Sequence, residues 1–162
     1  MANYKIDENN WHEDVSELKG TKYQGEVDLF VGGSPCQSFS VAGKRRGLDE
    51  ARGTLFYDFA RLVSEVEPKV FIYENVPGML NHDGGKTWKV ISRIFDKLGY
   101  EWIRWTLNAK DFGIPQNRKR IFVVGYNKKY KENFEKLEAP FPFDLRKDMT
   151  DFLEPVVENK YY

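Results

Sequence analysis

The sequence has little cysteine or histidine and no long apolar run. Its 162 residues include one cysteine, Cys36, and two histidines. A lone cysteine cannot form an internal disulfide, which favours a reducing cytosol, and these few side chains lack the spacing of a metal site. No apolar run approaches the roughly 20 residues that a membrane span needs, and residues 1–10 are too polar for a signal peptide.

The sequence also has no net charge, because 25 basic side chains balance 25 acidic ones. This balance excludes a uniformly basic nucleic-acid coat but leaves room for a local basic patch. Hydrophobic residues make up 41% and aromatic residues 15% of the chain, which excludes general disorder. Composition therefore predicts a globular cytosolic domain with a buried core, and no particular function.

The pattern of apolar residues divides the chain into three segments. Residues 1–26 are polar and poorly patterned, residues 27–126 show strand-like and helix-like patterns, and residues 127–162 are charged and then proline-rich. The central segment predicts, in order, a strand at 27–31, a helix at 54–66, a strand at 70–73, a helix at 88–98, and strands at 102–107 and 121–124. A short helix is also expected at 149–153.

This order of elements predicts a mixed α/β sheet. Alternating strands and helices favour parallel strands, and the short loop before the last strand requires an antiparallel hairpin. Ligands bind at the carboxyl ends of parallel strands in such sheets. We therefore expect residues 33–39 and 74–76, which follow two predicted strands, to share one cleft.

Cys36 has two interpretations. A lone cytosolic cysteine is often a small buried hydrophobe. Cys36, however, follows a Gly-Gly-Ser-Pro turn at the end of a strand and lies near Arg45 and Arg46. Polar, cationic surroundings lower a thiol pKa and favour a thiolate nucleophile. A Cys-His protease is a weak alternative, because neither His12 nor His82 has a recognisable context for the base.

Two further motifs contain candidate functional residues. Glu74, at a predicted strand end, is either a solvated capping carboxylate or an acid that protonates or hydrogen-bonds a substrate ring nitrogen. Arg118 and Arg120 alternate at strand spacing, which is typical of a charged hairpin but also places both guanidiniums on one side of the cleft. Arginine forks suit phosphates and base-edge oxygens.

Together these elements resemble the DNA cytosine-5 methyltransferases over residues 27–126. The motifs occur in the order and spacing of that family. They are Pro35-Cys36-Gln37-Ser38-Phe39-Ser40, Arg52-Gly53-Thr54-Leu55-Phe56, Glu74-Asn75-Val76, Asn108-Ala109, Phe112-Gly113-Ile114-Pro115-Gln116 and Gln116-x-Arg118-x-Arg120. The resemblance implies a catalytic half-domain at 27–126, built on part of a doubly wound, mostly parallel Rossmann-like sheet.

The resemblance also implies a reaction and a role for each residue. The Cys36 thiolate adds to carbon 6 of a cytosine extruded from double-stranded DNA, and carbon 5 then takes the methyl group of S-adenosylmethionine. Glu74 contacts ring nitrogen 3 and the amino group, Arg120 contacts oxygen 2, and Arg118 lies nearby on base or phosphate. Further contacts with the DNA are expected from Gln37, Ser40, Arg45, Arg46, Asn75 and Gln116.

The cofactor site is expected to be incomplete. Pro35 and Leu55 match positions that line the cofactor pocket in the family, and Asp14-Val15 loosely matches the segment that holds the adenine. The family's Phe-x-Gly-x-Gly turn is not found upstream of Val27. Residues 153–155 match the point where target-recognition sequence begins, so both ends are expected to be cut.

Three functional hypotheses follow from the resemblance. The first is the catalytic portion of a restriction-modification enzyme in a bacterial or phage-like host cytosol. The second is a split-enzyme subunit that is inactive without a partner chain, and the third is a tRNA methyltransferase of the same family. The strand at 27–31 is expected to be a bare apolar edge, which favours a complementing chain or self-association.

Overall fold

The computed structural model describes residues 7, 10–35, 55–133, 137–147 and 149–153. The strands are β1 (Leu29–Gly33), β2 (Val70–Asn75), β3 (Tyr100–Asn108) and β4 (Lys119–Asn127), and the helices are α1 (Leu55–Val66) and α2 (Lys86–Lys97). Short 3₁₀ helices occupy Gly20–Tyr23, Pro77–Leu80, His82–Gly85, Ala109–Asp111, Lys128–Asn133 and Met149–Phe152. Each predicted helix and strand of the central segment is present, and the segment near 149–153 is a 3₁₀ helix.

The four strands form one sheet in the order β1-β2-β4-β3. β1 and β2 are parallel, and β4 is antiparallel to both β2 and β3, so three strands share one direction. This confirms the mixed α/β fold with an antiparallel hairpin strand. The position of β4 between β2 and β3 is a finding of the structure. The connection through α2 places β3 two strand positions from β2. The hairpin then places β4 in the position between them.

The core lies between the sheet and the two helices. Side chains alternate along β2, so Phe71 and Tyr73 both point to the face that the helices cover. Phe56 of α1 and Phe95 of α2 contact each other and the Tyr73 ring, with ring centroids 5.4–5.7 Å apart. Both helices therefore pack on the same face of the sheet, and aromatic rings form most of the contact.

Gly125 allows this aromatic core to close against the sheet. It pairs with Phe71 in the β2-β4 ladder, and the Phe71 ring lies directly over its backbone. A Cβ at position 125 would overlap that ring well inside van der Waals contact. Only glycine therefore fits between Phe71 and the sheet at this point.

The opposite face of the sheet presents a row of apolar side chains. Val31, Ile72, Val124 and Ile103 stand in register across all four strands. Solvent reaches 61% of Val31 and 53% of its strand neighbour Leu29. Among the described residues β1 pairs only with β2, so it is the exposed apolar edge that the sequence predicts. None of the helices in the described part of the chain is long and apolar enough to cross a membrane.

Candidate active site

The predicted cleft lies at the edge of the sheet where β1 and β2 both end. Gly33 is the register partner of Glu74, and a Cβ at position 33 would lie 2.9 Å from the Glu74 carbonyl oxygen. This close approach brings the Ser34-Pro35 turn alongside the candidate acid. The other residues expected at this edge, Cys36, Gln37, Ser40, Arg45 and Arg46, lie outside the described residues.

Glu74 forms an ion pair with Arg120 in this cleft. Nε of Arg120 lies 2.7 Å from Oε1 of Glu74, and both side chains are partly exposed. The pairing follows from the sheet, because β4 starts beside the end of β2 and alternation places both residues on the same face. A second hydrogen bond, from Nη1 of Arg120 to the Lys119 carbonyl oxygen at 2.8 Å, fixes the guanidinium further.

A cavity of about 310 Å³ lies next to this ion pair. Glu74, Arg118 and Arg120 supply its charged groups, so the structure brings together three of the four predicted catalytic residues. The rest of the lining is mainly apolar and consists of Leu107, Asn108, Ala109, Phe112 and Phe122. Small-molecule sites commonly combine an apolar wall with a few convergent polar groups, and this cavity has that character.

Asn108 holds the loop that contains Arg118. Its Oδ1 accepts a hydrogen bond from the Arg118 backbone N–H at 2.9 Å, and its Nδ2 donates to Oδ1 of Asn117 at 2.9 Å. The exposed Gln116 accepts the same Arg118 N–H at its carbonyl oxygen, 3.0 Å away. Sequence reasoning used Asn108 only as part of a motif. An amide side chain directly after a predicted strand was the available signal.

Asn75 points into the protein. Its two amide N–H groups donate to the Ser34 carbonyl oxygen and to the Tyr73 hydroxyl, each at 2.8 Å. The side chain is buried, so the amide expected to contact DNA is used inside the fold. Sequence reasoning also missed Tyr73 and Ser34. The only signal was a hydroxyl at an inward position of an apolar strand.

The four residues expected to hold the cofactor do not all lie together. Pro35 is exposed at the end of β1, and Leu55 is exposed at the start of α1, near the same edge of the sheet. The Val15 carbonyl oxygen instead accepts a hydrogen bond from Nη2 of Arg61 at 3.0 Å, on the second half of α1. Arg61 is six residues from Leu55, or about 9 Å along the helix.

Asp14 is engaged locally next to Val15. Its Oδ1 accepts hydrogen bonds from the backbone N–H and the hydroxyl of Ser16, at 2.8 and 2.7 Å. These bonds to the side chain and backbone of Ser16 hold the pKa of Asp14 below its usual value. The described part of the chain has no cluster of three or more His, Cys, Asp or Glu side chains that could hold a metal ion.

Comparison with known proteins identifies the family. A sequence model described as C-5 cytosine-specific DNA methylase matches residues 1–162. The chain belongs to this family. It is 41% identical over 150 residues to the type II methyltransferase M1.ScrFI of Lactococcus lactis subsp. cremoris, covering 93% of this chain and 38% of that protein. It is 35% identical over 164 residues to M.HhaI of Haemophilus parahaemolyticus, covering 94% and 50%.

Solved structures show the same fold at lower identity. A Spodoptera frugiperda DNMT2 mutant superposes with a TM-score of 0.66 at 18% identity, over 91% of this chain and 46% of that one. The Dnmt2 methyltransferase of S. pombe gives a TM-score of 0.61 at 20% identity, over 94% and 47%. This C-5 methylase chain therefore spans between about a third and a half of the length of these relatives.

Proposed function

We propose that residues 1–162 form the catalytic portion of a DNA cytosine-5 methyltransferase of the restriction-modification type, acting in a bacterial or phage host cytosol. Residues 27–126 form its catalytic half-domain, and residues 127–162 lead towards target recognition. The observation that best supports this proposal is the Glu74-Arg120 ion pair, with 2.7 Å between Nε and Oε1, in a cavity at the end of β2, the strand that pairs with β1. Cys36 follows that strand by three residues in sequence.

The reaction begins with attack by sulfur on an extruded cytosine. The Cys36 thiolate forms a bond to carbon 6, and the ring electrons move towards nitrogen 3 and make carbon 5 nucleophilic. Glu74 meets nitrogen 3 and the amino group where charge develops, and Arg120 meets oxygen 2. After methylation, a base takes the carbon 5 proton, the bond between carbon 6 and sulfur breaks, and the Cys36 thiolate leaves as the ring double bond is restored.

The methyl donor of the family is S-adenosylmethionine. When bound, it supplies the electrophilic methyl group. The described residues fit this cofactor in part, because Pro35 and Leu55 present exposed apolar surface near the carboxyl edge of the sheet, where ligands of such folds bind. Asp14 and Val15 lie beside Arg61. For these two residues to hold the adenine, the bound cofactor must extend along α1 from Leu55 to Arg61.

Contacts with DNA are proposed for residues at the cavity and on the loop before it, and for four residues near Cys36 in sequence. Arg118 lines the cavity, and Gln116 is exposed on the loop before it. Gln37, Ser40, Arg45 and Arg46 are proposed on the resemblance of their motif. Positive charge at this edge suits a phosphate backbone, even though the whole chain is neutral.

The proposal also includes a partner for the open side of the sheet. Leu29 and Val31 are mostly exposed, although β1 pairs in parallel with β2 and parallel strands are normally covered on both faces. The relatives have at least as much chain again outside the matched region. We infer that a complementing polypeptide covers this face and completes the cofactor site, so that activity of residues 1–162 alone is low.

Transfer of a labelled methyl group tests the function. Residues 1–162, alone and with a complementing polypeptide, are incubated with labelled S-adenosylmethionine and either duplex DNA or tRNA. We expect label in cytosine of duplex DNA and none with Cys36→Ser. Label in tRNA alone would show that tRNA, and not DNA, is the substrate. No label in either nucleic acid would contradict the proposed enzyme activity.

A further inference from the structure

A cluster of buried polar side chains lies behind the ends of β1 and β2. Ser34 is 8% exposed, Asn75 is 3% exposed and Tyr73 is fully buried. The Ser34 and Tyr73 hydroxyl oxygens are 2.6 Å apart, and the Asn75 amide donates to the Tyr73 hydroxyl at 2.8 Å. Buried polar groups of this kind are costly unless they are paired, and here each is paired with the others.

The Tyr73 hydroxyl is the centre of this cluster. It contacts the Ser34 hydroxyl, the Asn75 amide and, as a donor, Sδ of Met79 at 3.9 Å. The second N–H of Asn75 donates to the Ser34 carbonyl oxygen, and Oδ1 of Asn75 accepts from the Val76 backbone N–H at 2.8 Å. Loss of the Tyr73 hydroxyl alone therefore leaves two other buried side chains with a missing partner.

The cluster links the two halves of the candidate active site. Ser34 is two residues before Cys36 in sequence, and Tyr73 and Asn75 flank Glu74 on β2. Because side chains alternate along a strand, Tyr73 and Asn75 point to the helix-covered side while Glu74 points to the cavity side. The same three-residue segment thus presents the carboxylate on one face and holds the backbone before Cys36 on the other.

We propose that Tyr73 and Ser34 are positioning residues whose hydroxyl pair fixes the backbone at Ser34 and Pro35, which precede Cys36 in sequence, relative to Glu74. The inference rests on the proposed roles of Cys36 and Glu74. Attack at carbon 6 depends on the placement of sulfur, and displacement by 1 Å can cost a factor of about 10² in rate. A hydrogen-bonded cluster in a low-dielectric interior restricts such displacement better than exposed contacts do.

The Tyr73 ring and the Tyr73 hydroxyl can be tested separately. The ring packs against Phe56, Phe59 and Phe95 and stays in Tyr73→Phe, which removes only the hydroxyl. Tyr100→Phe is the matched control. Tyr100 is also buried and its hydroxyl also donates a hydrogen bond, to the Pro68 carbonyl oxygen at 2.7 Å, but at the other end of the sheet.

The first experiment is hydrogen–deuterium exchange on residues 1–162. In Tyr73→Phe we expect the amides of Ser34 and Val76 to exchange about fivefold faster, because local opening is no longer opposed by the full cluster. Tyr100→Phe should leave both amides unchanged. Unchanged exchange in Tyr73→Phe, or an equal change in Tyr100→Phe, would overturn the positioning role. This outcome does not depend on methyltransferase activity.

The second experiment measures the rate of covalent adduct formation with duplex DNA containing 5-fluorocytosine, with S-adenosylmethionine and the complementing polypeptide present. We expect adduct formation to slow by about tenfold in Tyr73→Phe and in Ser34→Ala, with DNA affinity unchanged. The double variant should be no slower than the slower single variant, because the two hydroxyls act as one unit. Additive effects, or a wild-type rate in Tyr73→Phe, would overturn the proposal. Absence of adduct with the wild-type chain and the complementing polypeptide would instead contradict the proposed function, and the exchange result would still decide the positioning role.

Discussion

At the scale of single residues, the central feature is a carboxylate held by a guanidinium at the end of β2. Arg120 binds Oε1 of Glu74 at 2.7 Å and is itself anchored on the Lys119 carbonyl oxygen. A pair that is partly exposed contributes little to stability, because solvent screens it. The ion pair instead orients the carboxylate and the guanidinium, which both line the same cavity.

Glu74→Gln is predicted to slow the reaction more than it weakens DNA binding. The change keeps the shape of the side chain and removes the carboxyl group that delivers a proton to nitrogen 3, so the single-turnover rate should fall by about 10²-fold or more. The dissociation constant for DNA should change by less than about threefold, because ground-state contacts remain. Rapid-quench kinetics and fluorescence anisotropy measure the two quantities.

Glu67→Gln is the matched control for this prediction. Glu67 also forms an ion pair, with Lys129, but it lies at the opposite end of the sheet. We expect Glu67→Gln to react at the wild-type rate. If Glu74→Gln weakens DNA binding and leaves the single-turnover rate unchanged, the proposed role of Glu74 in the reaction is wrong.

Sequence motifs located Glu74, Arg118 and Arg120, and the structure places all three on one cavity. The direction of the neighbouring side chain was not predictable in the same way. Asn75 points inward because Ser34 and Tyr73 offer acceptors there, and Ser34 is 41 positions from Asn75 in sequence. A motif records which residues occur together, whereas a buried hydrogen bond depends on how two strands meet.

At the scale of secondary-structure elements, the fit between α1, α2 and the sheet depends on close contact between aromatic rings and strand backbone. Phe71 packs on the backbone of Gly125 and stacks against Phe95 at a centroid distance of 5.4 Å. Close-packed interiors tolerate added volume poorly, because a neighbouring ring must leave its preferred rotamer. A change at position 125 would therefore affect both the pairing of β2 with β4 and the packing of α2 on the sheet.

Gly125→Ala is predicted to destabilise the fold by about 1–3 kcal/mol, because its new methyl group overlaps the Phe71 ring. Urea denaturation of the variant and the wild type measures the difference in free energy of unfolding. Gly78→Ala is the control, since a Cβ there meets no atom within 4 Å. Equal stability of Gly125→Ala and the wild type would show that the contact is not as tight as described.

Helices and strands were predictable from the period of apolar residues, because buried positions recur at 3.6 in α1 and at 2 in β2. The strand order was not predictable from the same pattern. β4 is next to β3 in sequence but also pairs with β2, which precedes it by more than 40 residues. The pairing of β4 with β2 depends on where the connection through α2 places β3, and the local period of apolar residues does not contain that information.

At the scale of the whole molecule, two faces of the sheet differ in character. One is covered by α1 and α2, and the other presents the in-register row of Val31, Ile72, Val124 and Ile103. The net charge is zero, so no long-range repulsion opposes contact between molecules. Residues 1–162 in isolation should therefore bury this face by association.

Val31→Lys is predicted to reduce that association. Sedimentation velocity of the wild-type chain should show species larger than the 19.0 kDa monomer, and the variant should shift towards monomer because a charge interrupts the apolar row. Leu153→Lys is the control, since Leu153 is as exposed as Val31 but lies outside the sheet. A stable, monodisperse wild-type monomer would contradict the inferred covering of this face.

Covalent trapping tests the central claim most directly, namely that Cys36 attacks a cytosine held by Glu74 and Arg120. A fluorine at carbon 5 cannot leave as a proton does, so the bond between sulfur and carbon 6 persists after methylation. With 5-fluorocytosine DNA, S-adenosylmethionine and a complementing polypeptide, we expect mass spectrometry to show the 19.0 kDa chain joined to the oligonucleotide through Cys36. Absence of this adduct with the complementing polypeptide present, or its persistence in Cys36→Ser, would contradict the account.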